Sequence, residues 1–239
     1  MSLPQHDDFS LPRRAFSIAS IAIATGLLLW NIVRLASVED LWNWWTPLVI
    51  AAGMLAADFL SGMIHWAADT WGSETMPVIG RRLLHPFRVH HVNPDDFLRR
   101  RFIDTNGDVA FLAIPVLIAA LSLPAGGAWL GIPAVFVTAC CAIGLLTNQV
   151  HQWAHMSRPP LVVRVLQDSG IILGRGAHRR HHTYPYAANY CISTGWCNRP
   201  LASIDFFRRL ERAVTLVTGL VPRHDDDEFQ SAAVGWVEP

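Results

Sequence analysis

Asp58-Phe59-Leu60-Ser61-Gly62-Met63-Ile64-His65-Trp66-Ala67-Ala68-Asp69 closes an apolar run that opens at Trp44. From Trp44 to about Trp66 the run is long enough to cross a bilayer, and Trp44-Trp45 suit the water–lipid boundary. Asp58, Gly62, His65 and Asp69 recur at intervals of four, three and four, which places them on one helix face. Ionisable groups inside a span are costly and turn toward a bundle interior or a site. This span therefore needs partner helices on that face. An Asp58–His65 hydrogen bond that packs two helices is the alternative reading.

Partner spans lie on both sides. Ala15 to Val33 is almost wholly apolar, and its polar leader (Gln5, His6, Asp7, Asp8) has none of the marks of a cleaved signal. Two further apolar stretches run over 109–123, which carries Pro115, and from Trp129 to about Val150. Asp104-Thr105-Asn106-Gly107-Asp108 reads as a turn and N-cap before the first of them. Half of the 239 residues are hydrophobic and 16% are charged, as in a membrane protein. A net charge of zero gives no field to attract nucleic acid. The four cysteines have no metal or disulfide spacing and read as small reduced hydrophobes.

The predicted fold class is all-α: four transmembrane helices with a histidine-rich di-metal region and interfacial amphipathic helices. The expected organisation is a polar leader over 1–14, a membrane domain over 15–222 and a solvated tail over 223–239. Two amphipathic stretches, 161–173 and 203–219, fit helices lying on the membrane surface. Four spans leave residues 1–14, 67–108 and 151–239 on one side. Those segments hold eighteen of the nineteen arginines, all but Arg34. The positive-inside rule makes that side cytoplasmic, with both termini and the histidines on it.

The histidines decide the chemistry. His178-Arg179-Arg180-His181-His182 brings three imidazoles within one helical turn, and His151 and His155 form an i, i+4 pair, a known metal-binding arrangement. With His65 and the adjacent His90-His91, eight imidazoles from four segments gather at one face of the bundle. One ion cannot use eight. Two ions with about four each can, and two irons working with oxygen suit an all-imidazole set better than structural zinc, which closes at four ligands and takes Cys.

Around this set, Asn148 shares a face with His151 and His155. Asp69 lies one turn beyond His65, placed either to ligate a metal or to accept a hydrogen bond from a ligand imidazole. Because eight imidazoles already fill two sets of four, the hydrogen-bonding role is the expected one for Asp69, and Asp58 and Asn148 are candidates of the same kind. Arg179 and Arg180 are candidates for a lipid phosphate. His6, His85 and His224 stay outside the cluster.

The segments Asp58–Ser73, Pro86–His91, Thr105–Asp108, Thr147–His155, His178–His182 and Cys191–Trp196, in that order, resemble the lipid desaturase family. That family holds plasmanylethanolamine desaturases and a plastid phosphatidylglycerol desaturase, and the resemblance covers about residues 55–222. It implies a bacterial-type di-iron oxidoreductase of the inner membrane that uses O2 to form the 1′-alkenyl (vinyl-ether) double bond of plasmalogens. Its histidines fall on the same eight positions. Animal members carry one more histidine where this chain has Ala177, and an arginine where it has His85, so neither position is expected to be essential. Two electrons per double bond imply an external donor of cytochrome b5 or ferredoxin type. The alternatives are an acyl-lipid (phosphatidylglycerol-type) desaturase or hydroxylase on the same iron core and, from another class, a non-catalytic membrane metal-binding protein.

Overall fold

The computed structural model describes residues 10–223, apart from Ala128, Tyr184 and Pro185 and the side chains of Val92 and Asp95. The expected polar leader lies almost entirely outside the described residues, as do His6, His224 and the acidic tail. In chain order the elements are α1 (Leu11–Ala36), α2 (Thr46–Thr70), α3 (His85–Val92), α4 (Pro94–Arg99), α5 (Phe102–Ser122), α6 (Ile132–His155), α7 (Leu161–Asp168), α8 (Arg175–His181), α9 (Asn198–Ser203) and α10 (Phe206–Thr218). No strand occurs among the described residues. α1, α2, α5 and α6 are long and apolar enough to cross a membrane.

Two helices start earlier than the sequence suggests, and for one reason. α1 begins at Leu11, capped by Ser10, whose side chain accepts from the Arg13 N–H. α5 begins at Phe102, so 104–108 is helix and not a turn. Polar residues extend both helices because they meet each other. Arg13 pairs with Asp108 at 2.6 Å, and Arg14 makes a two-point contact with Asp104 at 3.2 Å. Gly107 sits against the Ser17 side chain, which occupies the space a Cβ would need. The far end is tied likewise: Asn31 donates to the Leu117 carbonyl, and Arg34 donates to the carbonyls of Ala120, Leu121 and Leu123. Arg34, the one arginine expected on the opposite side, thus caps the end of α5.

α5 lies along α6, and α6 along α2. Gly53 lets α2 approach closely: a Cβ there would meet the Phe136 carbonyl oxygen at 2.6 Å. The outer faces stay apolar, with Ile18, Leu29, Leu60, Ile64, Leu112 and Ile118 exposed as lipid-facing residues are. α7 points Leu161, Val162 and Val165 outward, as a helix on the membrane surface does. α10 differs from the interfacial helix expected there. Phe206, Phe207, Leu210 and Val214 pack on Trp66, Tyr190 and Cys191, so protein covers that apolar face and only its last turn exposes Leu216 and Val217.

Candidate metal centre

Every one of the eight histidines arrives at a single place, at the ends of α2 and α6 remote from the Leu35–Leu41–Trp45 core. α2 supplies His65, α3 His90 and His91, α6 His151 and His155, and α8 His178 and His181, with His182 as the residue that closes α8. They form two sets. His65, His90, His91 and His181 make one; His151, His155, His178 and His182 make the other, with His90 also within reach. In each set the ligand atoms lie within 4.8 Å of one another.

The hydrogen bonds fix which nitrogen faces inward. A carbonyl oxygen only accepts, so the nitrogen beside it carries the hydrogen. His65 Nδ1 donates to the Tyr190 carbonyl at 3.1 Å, His181 Nδ1 to Ala188 at 2.9 Å and His90 Nδ1 to Pro86 at 3.3 Å. Each ring then presents its Nε2 lone pair to the centre, the arrangement that orients metal-bound imidazoles. Burial pushes the His91 and His178 rings well below their usual range and His181 down to about 4, which keeps these rings neutral near pH 7.

The packing of these nitrogens fits a cation. His178 Nε2 lies 3.0 Å from His151 Nε2, 2.7 Å from His155 Nε2 and 3.0 Å from His182 Nε2. A neutral imidazole nitrogen bears either one hydrogen or one lone pair, so these contacts cannot all be hydrogen bonds. His65 Nε2 is buried with no hydrogen-bond partner among the described residues. An ion between the nitrogens turns lone pairs that repel into ligands.

Asp69 is placed differently from expectation. A carboxylate that steadies a ligand ring sits behind it, at the outer nitrogen. Here the outer nitrogens of His65 and His181 are taken by backbone carbonyls. Asp69 Oδ2 instead lies 3.3, 3.6 and 3.4 Å from Nε2 of His65, His91 and His181, on the inward side.

Asp58 and Asn148 are also corrected. Fully buried Asp58 makes no pair with His65. Its Oδ1 accepts from the N–H groups of Ser193, Thr194 and Gly195 at 3.2, 2.8 and 2.8 Å, and its Oδ2 from Cys197 at 2.9 Å. It locks the loop that carries the Tyr190 carbonyl. Asn148 donates to the Thr105 carbonyl at 3.0 Å and joins α6 to α5. Arg179 and Arg180 are exposed on α8, away from the buried His178 and His181. His85 stays outside both sets, 2.6 Å from Glu74. All four cysteines are free.

Sequence reading missed a buried amide relay. Asn106 donates to Gln149, Gln149 to Gln152, and Gln152 to the carbonyls of Phe97 and Arg100. The relay sets α4 so that the Phe97 ring lies 5.0 Å from His151 and 5.7 Å from His155. Tyr186, stacked on His91 at 5.4 Å, is a second wall that nothing in the sequence marks.

A lipid desaturase domain matches residues 54–225. The chain belongs to the lipid desaturase family. It is 43% identical to plasmanylethanolamine desaturase of Myxococcus xanthus over 219 residues, 92% of this chain and 78% of that protein. It is 41% identical to plasmanylethanolamine desaturase 1 of Mus musculus over 227 residues, 91% of this chain and 83% of that one. Fatty acid desaturase 4 of Arabidopsis thaliana chloroplasts is 36% identical over 179 residues, 72% of this chain and 52% of its own length. No solved structure matches. This lipid desaturase is an integral membrane oxidoreductase that acts on a lipid, and its buried histidine groups could hold metal.

Proposed function

We propose that the chain is a plasmanylethanolamine desaturase that removes one hydrogen each from C1′ and C2′ of an alkyl-ether chain. The balance is one O2, two electrons and two protons in, one vinyl-ether double bond and two waters out. Two iron ions, held by His65, His90, His91 and His181 and by His151, His155, His178 and His182, would supply the oxidant that an unactivated C–H bond needs. Two inward-facing imidazole sets with Nε2 converging are the observation that carries this reading. Asp69 Oδ2, facing the same centre as the first set, is assigned as a ligand there. The protein's own work is to hold the rings through the carbonyls of Tyr190, Ala188 and Pro86, and to wall the site with Phe97, Tyr186 and Tyr190 against water. Arginine placement supports a site and both termini on the cytoplasmic side of the inner membrane. Electrons then come from a cytoplasmic carrier of cytochrome b5 or ferredoxin type, and Arg179 and Arg180 serve lipid phosphates.

The test is iron analysis of the purified protein together with lipid products in cells with and without the chain. Two irons per chain and a new 1′-alkenyl lipid are expected. A double bond in an ester-linked acyl chain would instead establish the acyl-lipid reading, which the chloroplast relative keeps in play. Zinc in place of iron, with no new double bond, would make the chain a non-catalytic metal-binding protein.

A further inference from the structure

The two aromatic residues that follow His65 and Asp69 pose a separate question. Trp66, at 3% exposure, and Trp71 each bury an indole Nε1 that has no acceptor among the described residues. An indole nitrogen is a donor only, and a buried one normally finds a partner. Two other indoles of this chain show such a partner: Trp42 donates to the Ala36 carbonyl and Trp196 to Gly170. The rings of Trp66 and Trp71 meet edge to face, with centroids 4.8 Å apart. That geometry allows one N–H to rest on the other ring, but it cannot serve both. The side chains of their neighbours Met63, Phe207, Leu210 and Val214 carry no oxygen. Two adjacent donors are therefore stranded in an apolar compartment.

The compartment borders the metal centre. Tyr190 lies 5.1 Å from His181 on one side and 4.8 Å from Phe207 on the other, and Phe207 lies 5.8 Å from Trp66. Its cover is α10. Both residues that bound α10, Asp205 and Gly219, have left-handed backbone, with φ of 52° and 72°. The ion pairs Arg208–Glu211 and Arg212–Asp205 close within this segment, apolar contacts hold its inner face down, and beyond it Arg223 donates to the Thr70 and Asp69 carbonyls at 2.9 and 3.0 Å. Beyond it, Leu220 and Val221 are exposed beside Leu216 and Val217, a tip suited to lipid.

We propose that α10 is a hinged cover over a lipid subsite in which the indole N–H groups of Trp66 and Trp71 bind an oxygen acceptor of a glycerolipid. The inference rests on the desaturase reading for its ligand class. A glycerolipid suits the compartment because its oxygens, phosphate or chain-linking, adjoin apolar chains. Unpaired donors in an apolar surround hold such an oxygen strongly, and that would set which chain carbon reaches the centre.

The experiment replaces the donors without removing the rings: Trp66→Phe, Trp71→Phe and the double variant, in lipid nanodiscs. Binding of a plasmanyl phospholipid and of an alkyl-ether glycerol lacking phosphate is measured without O2, and turnover separately with O2. The expected result is about tenfold weaker binding for each donor lost, with metal content unchanged, KM raised more than kcat is lowered, and product carrying displaced double bonds. A penalty confined to the phosphate-bearing lipid identifies phosphate as the acceptor; a penalty on both identifies a chain-linking oxygen. Unchanged binding in the double variant overturns the proposal, as does loss of metal, which would make the indoles structural. Anaerobic binding stands independently of turnover, so a wild-type chain that binds but forms no double bond refutes the desaturation chemistry and leaves the subsite tested.

Discussion

Asp69 shows how a single carboxylate divides two designs. A carboxylate behind a ligand ring tunes that ring, and losing it costs about 10–100-fold in metal affinity or activity. One on the inward side contributes a bond to the metal. With Oδ2 at 3.3–3.6 Å from three Nε2 atoms, Asp69 is placed as the second kind would be, and on the proposed reading it gives the first metal position an anionic ligand. Asp69→Asn should therefore lose about half of the bound iron, read by metal analysis of the purified variant. Full retention of iron would return Asp69 to a hydrogen-bonding role. The histidines give a sharper contrast. Ala at any of the eight should abolish product while membrane insertion persists, whereas His85→Ala, which loses a contact with Glu74 outside both sets, should stay active in the same lipid assay. That the eight imidazoles gather in one place was legible in the sequence because imidazole type and helical spacing announce themselves. Asp69's inward placement was not, since which side of a ring a carboxylate approaches depends on where the Tyr190 and Ala188 carbonyls lie, more than a hundred residues away.

The elements were read well in their apolar interiors and poorly at their ends. Periodicity marks a span, but Arg13, Arg14, Asp104 and Asp108 are polar enough to imitate a leader and a turn until they are seen to pair. The same blindness hid the Asn106–Gln149–Gln152 relay, whose members look like ordinary polar residues near a helix end. Asp58 shows the energetic side. Its carboxylate takes four backbone N–H groups, and an amide in its place must point its own NH2 at one or more of them. Asp58→Asn should lower unfolding stability by on the order of 3 kcal/mol, measured as a denaturation shift in detergent, because hydrogen bonds to a charged group are strong and stranded buried donors are costly. If stability is unmoved, the loop does not depend on this carboxylate. α8 carries a pH dependence of its own. His178 and His181 fold with their protonation range pushed below the unfolded value of about 6.5. The unfolded chain then binds more protons, so their contribution is present above about pH 6.5 and is lost as pH falls toward the folded value, about 4 for His181. Metal-free protein should denature more easily at pH 5 than at pH 7.5, and bound metal should shift that loss downward.

At the scale of the whole molecule, the site exists only if the chain crosses the membrane an even number of times between its histidine groups. His65 ends α2, and His151 and His155 end α6; α5 and α6 lie between His90–His91 and α8. The paired crossings of α5 and α6 return α8 to the side of α3 and the end of α2, and removing either of the two would strand α8 opposite α3. Charge agrees with this count. The side holding the histidines carries eighteen arginines, and the exception, Arg34, is occupied with the carbonyls that end α5. Arg13 and Arg14, held by Asp108 and Asp104, mark the membrane boundary on the histidine side from two helices at once. Reporter fusions after Ser10, His90 and Gly235 should all report cytoplasm, and fusions after Asp40 and Gly126 the opposite side. A fusion after His90 that reports the far side would break the site, because α3 could then not reach α6 and α8 and the eight imidazoles could not meet.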